Sequence, residues 1–332
     1  MRLLLWHVHG GWTDAFVRGG HEYLMPTTPD RGPWGLGRGG RDWPAVVEVA
    51  PQDLRAAQVD VVVAQRPEEI ATASLLLGHE VGKDLPVVYV EHNTPRGDPP
   101  TTVHPLADRD DVTIVHVTHF NSLVWDCGRT RTAVVEHGVV DPGALYTGTA
   151  ERIGVVSNEP VRRDRVVGTD LLPAFAMLAP LDVYGISVDR LPSHLGLGPD
   201  RLHPKGDLTP EALHASLARR RLYLHPTRWT SLGLSLLEAM QLGMPVVVLA
   251  TTEASRAVPP EAGAVSSDVG ELVTAARRFL ADPDAARRAG QVAREAVLQR
   301  YSLRRFLDDW DDLLDRVRQH GGRGLPKERG TA

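Results

Sequence analysis

A single cysteine, Cys127, stands in a chain of 332 residues. That excludes an internal disulfide and suits a reducing compartment, so a cytoplasmic protein is expected. No stretch reaches the ~18 consecutive apolar residues of a bilayer-spanning helix. The opening Leu3-Leu4-Leu5-Trp6 run is too short for a signal peptide and soon meets His7 and His9, so it reads as a buried strand. No transmembrane segment is expected, which leaves peripheral membrane association open. A net charge of −5 gives no basic excess, and nucleic acid is not expected as a partner. Aromatics make up only 5% of the chain, yet 42% hydrophobic and 24% charged residues are ordinary for a globular protein with sizeable cores. The length suits two domains better than one, and no internal repeat is found.

Apolar, β-branched runs recur at 3–8, 59–64, 87–90, 112–117 and 132–135, separated by helix-compatible stretches such as 68–77 and 122–126. A second set runs through 152–156, 182–185, 222–224 and 245–249. Strands alternating with helices predict an α/β fold with parallel sheets covered on both faces. Two doubly wound, Rossmann-like domains facing a cleft are expected, at 1–140 and 152–301, with ligands at the carboxyl ends of strands. Residues 141–151 hold Asp141-Pro142-Gly143 and Gly148, a composition that reads as a hinge.

The last third is helical. Leu272, Ala276 and Phe279 share one face, and Asp282-Pro283 reads as an N-cap with proline at the first helical position. A helix is expected over 302–320, with Ser302 as its cap and an apolar stripe of Leu303, Phe306, Leu307, Trp310, Leu313, Leu314 and Val317. Intramolecular packing of that stripe is favoured over a partner-binding face. The Gly-, Pro- and charge-rich residues 321–332 are expected to be disordered.

The most informative stretch is HPTRWTSLGLSLLEAMQLGMPVVVLA, residues 225–250. Thr230 and Ser231 precede Gly233, which has no side chain to keep a ligand off the backbone. Leu236, Leu237 and Met240 follow helical spacing, Gly243 sits where a helix ends, and Pro245 blocks continuation. Val246–Leu249 then reads as a parallel strand buried on both faces. A glycine-bearing loop that feeds free N–H groups at a helix start suits a phosphate-like anion. Glu238 is placed to accept paired hydrogen bonds from a diol such as ribose. The plainer alternative is an acid that complements the helix dipole.

This segment resembles the signature of GT-B glycosyltransferases, specifically retaining glycosyltransferase family 4. The match runs through Leu232, Gly233, Leu234, Leu236, Leu237, Glu238, Ala239, Met240, Gly243, Pro245, Val246 and Val247. The resemblance implies a nucleotide-diphosphate sugar as donor, a small-molecule, lipid or polysaccharide acceptor, and no metal or other cofactor. It also implies a terminal helix that crosses back to the first domain. Glu238 inherits the ribose contact, and Ser231, Leu232, Gly233 and Leu234 inherit the donor-binding loop. The family's other acid, which contacts the donor sugar, falls at Thr230, whose neutral hydroxyl can hydrogen-bond a sugar but offers no carboxylate.

In the first domain, His9-Gly10-Gly11-Trp12 follows the first strand. Gly10 and Gly11 would let backbone N–H groups approach the diphosphate or acceptor, as the family's glycine-rich turn does. A tight turn with positive φ is the simpler account. His92 follows the run at 87–90 before a Pro/Gly-rich loop, and it carries over the family histidine near the reaction centre. The alternative is a buried histidine satisfied by backbone. His116, Thr118, His119 and Asn121 read as lining residues. Gly35, Gly37 and Gly40 satisfy G-x-G-x-x-G, but no strand precedes them and Asp42-Trp43-Pro44 prevents a clean helix. A mobile loop, with Trp34 free to stack on a sugar, is the better reading.

In the second domain the family places an arginine and a Lys-Gly pair after the first strand. Gly168 matches the glycine, whereas Val167 stands where the lysine belongs. Arg163 and Arg165 are the candidate replacement cations, since guanidinium binds phosphate bidentately; solvated surface arginines are the alternative. Gly206, in Lys205-Gly206-Asp207, matches the strand end that contacts the base. Arg219–Arg221 reads as a solvated helix end.

Two competing readings remain. A metal-dependent hydrolase would use His7-x-His9, whose alternation on a strand puts both imidazoles on one face. A catalytically inactive nucleotide-binding relative would explain Thr230 and Val167.

Overall fold

A computed structural model describes residues 1–320. The tail expected to be disordered, 321–332, lies outside the described residues. The chain divides into two compact units, Met1–Gly138 with the chain from Leu303, and Val139–Ser302.

The first unit is built on β1 (Arg2–Leu5), β2 (Glu22–Pro26), β3 (Val46–Val49), β4 (Val61–Ala64), β5 (Val87–Glu91), β6 (Thr113–His116) and β7 (Arg131–Val134). All seven run parallel in the order β3-β2-β1-β4-β5-β6-β7. The sheet's two faces alternate along each strand, as the pleat requires. Leu3, Leu5, Val61 and Val63 face a core that includes Trp12, Phe16 and Trp310. Leu4, Val62 and Ala64 face another, with Ile70, Leu77 and Tyr89. The terminal helix Leu303–His320 belongs to this unit. Phe306, Trp310, Leu313, Leu314 and Val317 of the expected stripe are buried, with Leu303 and Leu307 against the same cluster.

The second unit holds β8 (Ala150–Val156), β9 (Leu181–Tyr184), β10 (Leu202–Gly206), β11 (Arg220–His225), β12 (Val246–Leu249) and β13 (Gly263–Ser266). These six are parallel in the order β10-β9-β8-β11-β12-β13. Both sheets are therefore doubly wound. Strand order reverses between β1 and β4 in one unit and between β8 and β11 in the other. Loops that leave the carboxyl ends of those strands flank a natural ligand crevice.

Several expectations are corrected. Arg220 and Arg221 are not a solvated helix end; they open β11 and are 8% and 9% exposed. Arg221 survives burial because its guanidinium donates to Gly148 O and Leu280 O, at 2.9 and 2.7 Å. The segment read as a hinge is partly docked. Tyr146 N–H donates to Leu242 O, Tyr146 OH donates to Arg221 O, and β8 already begins at Ala150. The helix expected over 122–126 instead spans His119–Val124, because Thr118 Oγ1 accepts the Asn121 N–H and caps it. The N-cap at Asp282 does form, accepting from Asp284 and Ala285 N–H.

Candidate functional site

β11 ends at His225, and residues 226–233 lead into the helix Leu234–Leu242. Gly233 is the N-cap, at φ −72° and ψ 119°, and it brings no side chain to occupy the first-turn N–H groups. Such an uncapped start attracts anions through its free donors and the helix dipole. Glycine is needed there for space: a Cβ would lie 2.6 Å from His225 Cε1. Burial pushes the His225 imidazole down to about 4, so this ring is neutral packing beneath the loop. Gly243 ends the helix in the left-handed conformation, φ 86°.

Glu238 lies one turn in, its side chain 27% exposed, with Oε2 3.8 Å from His214 Nε2 on the helix Pro210–Leu217. Ser231 and Leu232 are buried, while Thr230, Gly233 and Leu234 are half-buried. Tyr223 OH reaches up from β11 to donate to Ser235 Oγ at 3.0 Å, tying the first helical turn to the strand below.

The loop that follows β8 meets this one. Arg228 and Trp229 N–H both donate to Val166 O, at 2.9 and 3.2 Å. Gly168, at φ 75°, packs so closely on Pro226 that a Cβ would lie 2.1 Å from its carbonyl oxygen. Val167 is buried in the core, so position 167 offers no cation. Arg165 is exposed and donates to Asp170 Oδ2 at 2.8 Å. Arg163 closes the short helix Pro160–Arg163, its N–H bonded to Glu159 O. Arg228, which sequence reasoning missed, donates to both oxygens of Asp170 and to Arg165 O. Two guanidiniums thus share one carboxylate beside the 226–233 loop, leaving local positive charge in excess. Only the pairing with Asp170 reveals this, and no sequence spacing signals it. Gly206 ends the edge strand β10 at φ 75°, its carbonyl accepting the Gly185 N–H at 2.8 Å.

In the first unit β1 stops at Leu5, so His7 and His9 do not share a strand face. His7 Nδ1 lies 3.1 Å from Gly37 O and its ring packs against Trp43, whereas His9 turns to Gln65. Among the described residues, no group of three or more His, Cys, Asp or Glu is arranged to hold a metal ion. Gly10 and Gly11 are not a positive-φ turn either. They are the first residues of the helix Gly10–Phe16, and neither has positive φ.

His92 follows β5 and stacks on His9, ring centroids 3.9 Å apart and 23° from parallel, with the Trp12 edge at 5.2 Å. Gln65, just after β4, fixes the His9 ring. Gln65 Nε2 donates to Trp6 O at 2.8 Å, which leaves Oε1 to accept from His9 Nδ1 at 3.3 Å. The switch point between β1 and β4 therefore gathers His9, Gln65 and His92. Burial, with the facing His9 and His137 adding to it, holds the His92 imidazole well below its ordinary value. Burial thus favours the neutral imidazole over the cation.

Glu91, which precedes His92, was not anticipated. Its buried carboxylate accepts from Asn93 N–H at 2.7 Å and from His104 Nε2 at 3.0 Å. His104 Nδ1 accepts the Leu106 N–H, so the proton must sit on Nε2. This pair pins the turn that carries His92. Thr118 and Asn121 are structural, not lining: Asn121 Nδ2 donates to Glu91 O and Asn93 O. His116 lies inside β6 with its pKa pushed down to about 3 by burial and then His104. Trp34 carries the Arg66 guanidinium over its ring, 3.9 Å from the centroid, and is 42% exposed. No described helix is long and apolar enough to cross a membrane.

Comparison with known proteins adds to this geometry. Residues 163–312 match the sequence profile of a family described as "Glycosyl transferase-like". No curated protein matches the chain. Among solved structures, sucrose-phosphate synthase from Thermosynechococcus elongatus aligns with a TM-score of 0.69 at 16% identity, over 96% of this chain and 99% of that one. The Anabaena protein HepE, solved with UDP and glucose, gives 0.70 at 16% identity, over 95% and 99% of the two chains. A TarM mutant from S. aureus, in complex with fondaparinux, alpha-GlcNAc-glycerol and UDP, gives 0.64 at 15% identity over 77% of this chain. The chain spans about half of TarM, 55% of its length. At such low identity these likenesses speak to fold, and they agree with the two parallel Rossmann-like sheets described above. The chain has the GT-B fold, and its residues 163–312 are similar to a family of glycosyl transferase-like proteins.

Proposed function

We propose that the chain is a retaining glycosyltransferase, metal-independent, that moves a sugar from a nucleotide-diphosphate donor to an acceptor. The observation that carries this reading is the uncapped start of the helix Leu234–Leu242, with Glu238 half-buried one turn beyond. Departure of the nucleotide leaves negative charge on the diphosphate as the sugar becomes oxocarbenium-like. Catalysis then rests on positioning and on positive potential aimed at the leaving group. First-turn N–H groups at Leu234 and Ser235, with Arg165 and Arg228 nearby and Arg163 as a further cation, supply that potential without a metal. Ser231, Leu232 and Gly233 line the diphosphate, Gly206 meets the base, Glu238 holds the ribose, and Thr230 hydrogen-bonds the donor sugar. In the first unit, Gly10 and Gly11 serve diphosphate or acceptor and neutral His92 serves the transferred sugar. Retention follows the resemblance to family 4. A cytoplasmic setting, with or without peripheral membrane association, fits the lone buried Cys127.

UDP is the first nucleotide to test, since HepE and TarM were solved with it. Calorimetry should show Glu238→Ala binding UDP about 10–100-fold more weakly, the worth of lost charged hydrogen bonds of ~1.5–3 kcal/mol. Unchanged affinity would remove Glu238 from the site. For His92→Ala, turnover should fall about 100-fold with UDP affinity nearly intact, as when one positioned donor is lost from a reaction centre. Ordinary turnover would make His92 a packing residue.

A non-catalytic nucleotide-binding relative is the second reading, favoured by the burial of Val167 where a lysine cation belongs. Binding of UDP without turnover, across panels of donors and small-molecule, lipid and polysaccharide acceptors, would select it.

A further inference from the structure

The second unit carries a basic cavity that the glycosyl-transfer reading does not use. It encloses about 380 Å3, within the range of small-molecule sites, and is lined by Ala150, Arg152, Asp182, His203, Lys205, Arg219 and Arg220. Asp182 pairs across β9 with Gly154 of β8 and with His203 of β10. Strand alternation puts Arg152 and Asp182 on one sheet face, while Ile153, Val155, Leu181 and Val183 face the apolar core. Arg152 lies about 13 Å along β8 from its carboxyl end, at 3.3 Å per residue. Ala150, Arg152, Asp182, Arg219 and Arg220 of its lining lie at or near the amino ends of β8, β9 and β11, while Lys205 lies near the carboxyl end of β10.

Its charge does not balance. Asp182 is the one carboxylate in the lining and is fully buried. Arg152, Arg220 and Lys205 all lie within ion-pair reach of it. Three cations on one carboxylate leave two positive charges in excess, and Arg219 adds a third. Asp200, exposed and paired with Arg201, is the other acid near His203. A structural ion network needs only enough cation to neutralise its buried acid; additional charge in a concavity is costly unless an anion joins it. Arg152 turns both Nε and Nη2 to a single oxygen, Asp182 Oδ1, at 3.0 and 2.9 Å. His203 feels the surplus, since burial and then Arg152 lower its pKa.

We infer that this cavity binds the phosphate group of a small molecule, through Arg152, Lys205 and Arg219, at a site separate from the nucleotide. Guanidinium donors in pairs match phosphate oxygens, and the ammonium adds a point charge. The volume admits a phosphorylated metabolite as well as free phosphate.

The test uses the full chain saturated with UDP, titrated by calorimetry with inorganic phosphate or glucose 6-phosphate, against sodium chloride at matched ionic strength. Saturable binding that leaves UDP in place is expected, and whichever ligand binds more tightly identifies the source of the phosphate. Lys205→Gln, at a side chain only partly buried, should weaken it at least about tenfold, the worth of one charged contact. Arg152→Gln combined with Lys205→Gln should abolish it, with UDP affinity unchanged in both variants. Phosphate that displaces UDP, binds no better than chloride, or binds the variants as it binds the parent would overturn the inference.

Discussion

Thermal unfolding should show the melting temperature falling steeply as pH drops from 6.5 to 5, before most carboxylates titrate. The cause is a set of buried imidazoles. Burial holds His92 well below its ordinary value, takes His116 and His137 down to about 3, and His225 down to about 4. Neighbouring charges add to this: His9 and His137 act on His92, His9 and Arg305 on His137, and His104 on His116. In the unfolded chain each ring returns to about 6.5. Between those values the unfolded state binds protons that the folded state refuses, so stability rises with pH. The contribution is complete above about pH 6.5 and is lost progressively down to pH 3–4, where the folded rings finally accept a proton. A tenfold drop in a ring's proton affinity corresponds to about 1.4 kcal/mol, and because all four rings shift in the same direction their effects on stability add. A melting temperature flat between pH 7 and 5 would contradict this.

Trp310→Ala should cost about 3–5 kcal/mol in urea unfolding, the range for a large aromatic removed from a core. Trp310 is 1% exposed and meets the Trp12, Phe16 and Phe306 rings at 5.6, 5.0 and 6.3 Å, each close to edge-on. Each such pair adds about 0.5–1.5 kcal/mol beyond area burial. Trp310→Phe gives a sharper comparison. The indole Nε1 is buried without a hydrogen-bond partner among the described residues, so the phenyl ring removes an orphaned donor as it loses volume. Its cost should be well under half that of Trp310→Ala. Equal costs would mean that the cage makes no use of aromatic shape.

The parts legible in sequence were those where local chemistry and burial agree. Gly243, Pro245 and Val246–Leu249 ended a helix and began a strand as their letters indicate, because each acts within a few residues of itself. The stripe ending at Val317 was legible because a 3.6-residue period survives whatever it packs on. Glu22–Pro26, Val46–Val49 and Gly263–Ser266 were not anticipated as strands. The first ends in proline, the second is an edge strand with Val47 exposed, and the third is an edge strand that opens on glycine. Arg220 and Arg221 misled in the opposite sense, since charged letters concealed a buried strand whose guanidiniums reach Asp182, Gly148 and Leu280, far away in sequence. The site divides along the same line. Glu238 and the 230–233 loop could be placed from spacing, whereas Arg228, Glu91 and Asp182 take their meaning from partners across the fold. His7 and His9 alternate like strand residues, but the strand had already ended.

The return of Leu303–His320 to the first unit also sets an order for biosynthesis. Residues 139–302 are continuous and can close their core as soon as they emerge from the ribosome. The first unit is translated earlier but must wait, with Trp12 and Phe16 uncovered, until Phe306 and Trp310 arrive. The half made first finishes last, and during that interval its open aromatic face is the point at which a chaperone would be needed and a premature stop would be most damaging.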